Sequence, residues 1–184
     1  MSTPSDGSPL VTDHATIAAS VGPSTRMAAA TADPSVPGLK KGSVAPNFTV
    51  QDRTGKPVKL SDYAGKVVVI DFWSIACVPC QQMMPELNGL ARKFKGKNVV
   101  FLTMDFLDSQ GAFKTWLKKH NSYDAIKFLW DPADPLNSVA ISLYKVSAFP
   151  VQFVVDKTGK IAFANDGYWG STTALEHAVT AASK

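Results

Sequence analysis

The sequence has few cysteines, few arginines and no long apolar run. Its two cysteines are too few for a disulfide scaffold or a four-ligand structural zinc site. Its arginines are Arg26, Arg53 and Arg92, so it lacks the clustered arginines of a nucleic-acid-binding surface despite a net charge of +4. Apolar runs such as Val67–Ile70 are far shorter than the ~20 residues of a membrane-spanning helix. These absences argue against disulfide-rich, zinc-dependent, nucleic-acid-binding and membrane-spanning proteins.

The first 39 residues have the composition of an unfolded segment. They are rich in Ser, Thr, Ala, Pro and Asp, and they cannot bury enough apolar surface to offset the entropy lost on ordering. The sequence therefore predicts a flexible low-complexity tail over residues 1–39 and one domain over residues 40–184. The tail has no basic n-region and no apolar h-region, so we expect no secretory signal and no anchor in the given chain. Three interpretations stay open: the protein stays inside the cell, the given chain is already processed, or its start is misassigned.

Strand and helix patterns alternate from residue 40 onward. Nearly continuous apolar runs at Lys66–Trp73 and Asn98–Asp105 predict strands buried on both faces. Apolar spacing predicts a helix from about Cys77 to Lys95, kinked by Pro85. The other expected elements are a hairpin over 48–51 and 57–60, helices over 110–119, 135–144 and 171–182, and strands over 126–130, 151–155 and 160–165. This alternation indicates an α/β sandwich with a mixed sheet.

Cys77 and Cys80 flank the start of the first long predicted helix. The unpaired N–H groups and the dipole at a helix N-terminus stabilise a thiolate, so Cys77 is the expected attacking thiolate. Cys80 lies deeper in the helix and is the expected resolving thiol. Val78 and Pro79, between them, would tune the reduction potential. An inert structural disulfide is the alternative, although so small a loop gains little chain entropy from closure.

Asp71 is the one acidic residue in the apolar run before the cysteines. Desolvation there should raise the pKa of its carboxyl group. A carboxyl that is protonated near neutral pH can relay a proton to or from Cys80, directly or through water. The alternative is a solvated aspartate at the strand end that caps the next helix.

One ungapped stretch carries Asp71, Cys77, Cys80 and Pro85. It resembles the active-site segment of the thioredoxin superfamily, and Pro150 lies in a segment that resembles the family's cis-proline loop. Three further segments indicate a branch of this superfamily: residues 45–48, 60–66 and 153–161. They are similar to TlpA-like (ResA-like) thiol-disulfide oxidoreductases and to AhpC-TSA-related redoxins.

The resemblance implies a thioredoxin-like three-layer sandwich with a mixed central sheet, an N-terminal β-hairpin and an inserted helix-strand unit. It implies catalytic roles for Cys77, Cys80, Asp71 and Pro150. The substrate-contacting residues it implies are Trp73, Val78, Pro79, Phe149 and Val151, with Trp73 exposed.

The resemblance also implies a biological setting. The expected activity is reduction of protein disulfides outside the cytoplasm, in the periplasm or cell envelope, as part of cell redox homeostasis. Electrons would come from an upstream thiol reductase, because the sequence has no flavin or nicotinamide motif. We expect no cofactor, no metal and a monomeric chain.

Three positions depart from the family pattern. Met83 replaces a common glutamate, Ala76 a common tryptophan and Val151 a common threonine. Because methionine has no acidic group to take the place of that glutamate, Asp71 is the expected proton relay. The partner surface should be more apolar than usual, with Tyr168 and Trp169 as further members of an apolar rim.

Two other functions stay open. A peroxiredoxin-like peroxidase is suggested by Ser74, three residues before Cys77, although Ile70 stands where that family has proline and no arginine follows Arg92. A Cu(I)-binding chaperone would use both cysteines and a methionine as soft ligands. The candidate methionines are Met83, Met84 and Met104, for which core packing is the common role.

Overall fold

The computed structural model describes residues 39–184. The predicted tail over residues 1–39 lies, except for its last residue, outside the described residues. The strands are β1 Thr49–Asp52, β2 Pro57–Lys59, β3 Val67–Trp73, β4 Val99–Asp105, β5 Lys127–Trp130, β6 Val151–Val155 and β7 Ile161–Asp166. The helices are α1 Val78–Lys93, α2 Gln110–Lys119 and α3 Thr173–Ser183, with short helical turns at Leu60–Tyr63, Pro135–Asn137 and Val139–Leu143.

Within the described residues, seven strands form one mixed sheet in the order β2-β1-β5-β4-β3-β6-β7. The three central strands β3, β4 and β5 are parallel, and α1 and α2 supply the long crossovers that parallel neighbours need. The pairs β1–β2, β1–β5, β3–β6 and β6–β7 are antiparallel. The predicted α/β fold, with its N-terminal hairpin and the α2–β5 unit as the insertion, is confirmed.

The central strand β3 is buried along its whole length and separates two apolar clusters. Side chains alternate between the two faces of a strand. Val67, Val69 and Trp73 therefore pack on one face with residues of α1, α2 and α3. Val68 and Ile70 pack on the opposite face, beneath the N-terminal segment and the helical turns after β5.

The helix predicted over residues 135–144 is wrong in detail. Ser138 has extended backbone angles, φ −60° and ψ 155°, and separates two short helical turns. Side chains replace helix carbonyls as acceptors at this point: the Val139 N–H donates to Asp131 Oδ2 at 2.6 Å, and the Ile141 N–H donates to the Ser138 hydroxyl at 3.3 Å. Such local side-chain bonds compete with a continuous helix.

Between residues 39 and 184, no helix has both the length and the apolar character needed to cross a bilayer.

Candidate active site

The cysteine pair lies at the junction of β3 and α1. Cys77 is the N-cap residue of α1, and it forms a disulfide with Cys80 across a Cα–Cα distance of 5.3 Å. The Cys80 N–H donates to the Cys77 sulfur at 3.2 Å. The sulfur thus occupies the place of a capping oxygen, where free N–H groups favour negative charge.

The two cysteines differ in accessibility. Cys77 is 6% exposed, whereas Cys80 is fully buried in the cluster beneath α1. The two residues between them face solvent: Val78 is 62% exposed and Pro79 is also exposed. A thiolate has to be reachable to act as a nucleophile. Of the two cysteines, only Cys77 keeps any accessible surface.

The loop that leads into Cys77 is fixed by two side chains. The Ile75 N–H donates to Asp108 Oδ2 at 2.7 Å, and the Gln81 side-chain amide donates to the Ile75 carbonyl oxygen. Asp108 also lies against Asp105, which is fully buried. Burial, and then the neighbouring Asp108, raise the pKa of Asp105 to about 7. No local pattern in the sequence assigns this acid pair to the site, because only the fold brings the end of β4 next to the loop after β3.

Asp71 is fully buried in β3, as the apolar run predicted. Burial raises the pKa of its carboxyl group to about 7, and a hydrogen bond from Gln152 acts in the opposite direction. The Gln152 amide nitrogen donates to Asp71 Oδ1 at 3.1 Å. Asp71 Oδ2 has no hydrogen-bond partner among the described residues. The carboxyl group is therefore poised to exchange a proton near neutral pH.

Pro150 directly precedes β6 and follows a cis peptide bond from Phe149, the geometry expected from the resemblance. Strand β6 runs antiparallel to β3, with Val151 opposite Phe72 and Gln152 opposite Asp71. This pairing brings the start of β6 beside the end of β3, where the cysteines begin. Phe149 is 37% exposed, whereas Pro150 and Val151 are buried.

The expected exposure of Trp73 is wrong. Its side chain is fully buried and packs against Trp116, with ring centroids 4.6 Å apart, and against Phe128. Trp73 lies on the same face of β3 as Val69, so it points into the helix-covered core rather than to solvent.

Two other aromatic residues of the expected rim lie on the loop after β7. Trp169 is 88% exposed, and Tyr168 is half-buried and donates its hydroxyl hydrogen to Glu86 at 2.7 Å. Both line a cavity of about 420 Å³ that also contacts Met83 and Gln152. Neither cysteine is among the described residues that line it.

The structure places Ser74, which suggested a peroxidase, beside Cys77, and it places Arg92, the last arginine of the sequence, far from the cysteines. Ser74 is buried, and its carbonyl oxygen accepts the Cys77 N–H. Arg92 forms an ion pair with Asp124 at 2.7 Å, near the far end of α1. At the helical rise of ~1.5 Å per residue, that is ~22 Å along the helix from Cys77.

The methionines suggested for copper are divided between the two faces of the sheet. Met83 and Met84 are buried in the cluster that contains both cysteines, whereas Met104 belongs to the opposite cluster. In the described part of the chain, no group of three or more His, Cys, Asp or Glu side chains could hold a metal ion.

Comparison with known proteins gives consistent results. The model of the AhpC/TSA family matches residues 41–164. The thiol-disulfide oxidoreductase ResA of a Bacillus cereus strain is 36% identical over 123 residues, which are 67% of this chain and 68% of that protein.

Solved structures are similar over most of the described residues. A crystal structure of a candidate thiol:disulfide interchange protein DsbE from Chlorobium tepidum is 33% identical, has a TM-score of 0.69, and covers 79% of this chain and 99% of its own. The exposed lipoprotein thioredoxin Etrx1 of Streptococcus pneumoniae strain TIGR4 is 29% identical, with a TM-score of 0.61 and coverage of 72% and 98%.

Proposed function

Since the chain belongs to the AhpC/TSA family and is a thiol-disulfide oxidoreductase, we propose that it reduces disulfides in protein substrates through Cys77 and Cys80. The observation that carries this proposal is the unequal exposure of a disulfide-bonded pair at a helix N-terminus. Cys77 keeps a small exposed fraction, and Cys80 has none.

The proposed reaction begins from the reduced pair. The Cys77 thiolate attacks one sulfur of the substrate disulfide, that disulfide breaks, and the released substrate sulfur takes up a proton. A mixed disulfide then joins Cys77 to the substrate. Cys80, once deprotonated, attacks the Cys77 sulfur, and the second substrate sulfur leaves and is protonated. The protein ends with the Cys77–Cys80 disulfide, and an upstream thiol reductase returns two electrons to it.

Asp71 is the proposed acceptor of the Cys80 proton, directly or through water. Two observations support this role: both residues are fully buried, and burial holds the pKa of the Asp71 carboxyl near neutrality. An acid that titrates near the working pH transfers protons efficiently in both directions.

Substrate contact is proposed for the exposed residues beside the pair. Val78, Pro79 and Phe149 offer apolar side chains to a partner chain. Buried Val151 and Pro150 would contribute through the backbone of their loop. Buried Trp73 would support the site from within and would not touch the substrate. A protein segment bound by backbone and apolar contacts fits this surface.

A monomeric chain is part of the same proposal. The edge strand β2 has only three residues and begins with Pro57, which has no N–H to donate. At this edge of the sheet, the short strand and its proline oppose pairing with a second copy. The other edge strand, β7, is longer and has no proline.

Trapping of the mixed disulfide tests the proposed reaction. Reduced Cys80→Ser protein should accumulate a one-to-one adduct with a disulfide-containing protein, and a reductant should release it. Cys77→Ser is the matched control, because it keeps one thiol but should form little adduct through buried Cys80. A Cys77→Ser protein that reduced the substrate at the wild-type rate would refute the assigned roles.

A further inference from the structure

Three polar side chains form a hydrogen-bonded ladder across the neighbouring strands β3, β6 and β7. Gln152 on β6 lies opposite Asp71 on β3 and opposite Asn165 on β7. The Asn165 amide nitrogen donates to Gln152 Oε1 at 2.9 Å, and the Gln152 amide nitrogen donates to Asp71 Oδ1 at 3.1 Å. The proposed catalytic chemistry uses Asp71 but leaves Gln152 and Asn165 without a role.

The orientation of both amides follows from the hydrogen bond at the Asn165 end of the ladder. The Asn165 NH₂ group also contacts the Gly167 carbonyl oxygen at 2.9 Å, and a carbonyl oxygen can only accept. Asn165 therefore presents its NH₂ group to both neighbours. Gln152 must then accept with its oxygen, which leaves its own NH₂ group facing Asp71. The hydrogen-bond network thus fixes the amide orientations.

We propose that Gln152, oriented by Asn165, is a positioning residue that keeps an N–H donor on Asp71 and so sets the pH at which this acid exchanges its proton. This inference rests on the proposed relay role of Asp71. A donor stabilises the carboxylate form more than the protonated form, whereas burial favours the protonated form. Asp71 Oδ2, which has no partner among the described residues, remains free to carry the proton.

The same amides reach a cavity. Gln152 and Asn165 line the space of about 420 Å³ described above, together with Met83. The wall also includes Ser171, Thr172, Thr173 and His177, so the two amides are among several polar groups that line this space. A cavity of this size has room for water next to polar atoms.

Among the described residues, Gln152 is the one side chain that forms a hydrogen bond with the Asp71 carboxyl group. Burial raises the pKa of Asp71, and the hydrogen bond from Gln152 opposes that shift. The elements around Asp71 carry several other titratable or charged groups, and none of them forms a hydrogen bond with Asp71. These groups are Cys77, Cys80, Glu86, Arg92 and Lys93 on or capping α1, Asp105 on β4, Asp166 on β7, and Glu176 and His177 on α3.

Two variants test the ladder, and carbon NMR of the aspartate carboxyl groups in the oxidised protein is the readout. In Gln152→Leu, Asp71 loses its donor, and its titration midpoint should move up by about one pH unit. In Asn165→Leu, the side-chain amide of Gln152 can flip, so that it donates to Asp71 only part of the time. The Asp71 midpoint should therefore move up by less than in Gln152→Leu. Asn165 is half-buried on the edge strand β7, so this variant keeps the proposal testable if the buried substitution prevents folding.

Gln82→Leu is the matched control, because Gln82 is an exposed glutamine on α1. It should leave the Asp71 midpoint unchanged. Unchanged midpoints in both ladder variants would overturn the role of Gln152.

A second readout separates this inference from the relay on which it rests. The pH profile of mixed-disulfide resolution should move together with the Asp71 midpoint in Gln152→Leu. A carboxyl midpoint that moves while the activity profile stays fixed would instead refute Asp71 as the relay. A merely structural role for Gln152 would lower the rate at every pH without moving either midpoint.

Discussion

Replacement of Asp71 by asparagine should remove a measurable pH dependence from the stability of the protein. Asp71 is fully buried, and burial raises the pKa of its carboxyl group from 3.8 to about 7 against a weaker opposing effect of Gln152. Asparagine has nearly the same shape and no titrating group. The variant therefore isolates the cost of ionising this one side chain.

The sign of the effect follows from proton linkage. An acid whose pKa is raised by folding holds its proton more tightly in the folded state. The stabilisation from the bound proton is complete below about pH 4 and is lost as the pH rises through about 7. For a pKa of about 7 in the folded state and 3.8 in the unfolded state, the wild type loses ~3 kcal/mol of unfolding free energy from Asp71 between pH 5 and pH 8.

Urea denaturation of the oxidised protein at these two pH values measures the effect. The difference in stability between Asp71→Asn and wild type should shift by ~3 kcal/mol in favour of the variant from pH 5 to pH 8. Buried Asp105 also has a raised pKa, but it is present in both proteins and cancels. Asp166→Asn, at an exposed position on β7, is the control and should keep the wild-type pH dependence. The reasoning is wrong if Asp71→Asn loses as much stability as wild type over this interval.

Two further predictions concern α1. Leu87 is fully buried, so Leu87→Ala should lower the unfolding free energy by about 2–5 kcal/mol in urea denaturation, and a loss below ~1 kcal/mol would contradict the packing described for this helix. Glu86 accepts the Tyr168 hydroxyl hydrogen and thereby raises the pKa of Tyr168. Glu86→Gln should therefore lower that pKa toward its ordinary value, as followed by tyrosinate absorbance with Tyr168→Phe to identify the signal; an unchanged titration would contradict the contact.

The sequence was sufficient for the elements with strong local patterns. The helix predicted over Gln110–Lys119 and the strand predicted over Val151–Val155 have the predicted bounds. The buried run that ends at Trp73 begins one residue later than expected. Continuous apolar runs and helical spacing are patterns of residues that are close in sequence. They therefore predict these elements without knowledge of the tertiary contacts.

Features that depend on long-range pairing could not be predicted in the same way. Gln152 is the only polar residue in β6, as Asp71 is the only charged residue in β3, and a single polar residue in an apolar strand is a usable signal in both cases. What the sequence could not supply is the register that sets these two residues opposite each other. The exposure of Trp73 was predicted from resemblance, although the alternation of β3 already assigned it to the face of Val69.

The antiparallel pairing of β3 with β6 also bears on how this molecule is made. The cysteines follow β3 directly, but the strand that completes their surroundings begins about seventy residues later, at Val151. A growing chain therefore carries both thiols well before Gln152 exists to meet Asp71. Such non-local pairing slows folding relative to proteins of local contacts. Until β6 pairs with β3, the two sulfurs lie in an incomplete site, and the pair acquires its final environment only when that pairing has formed.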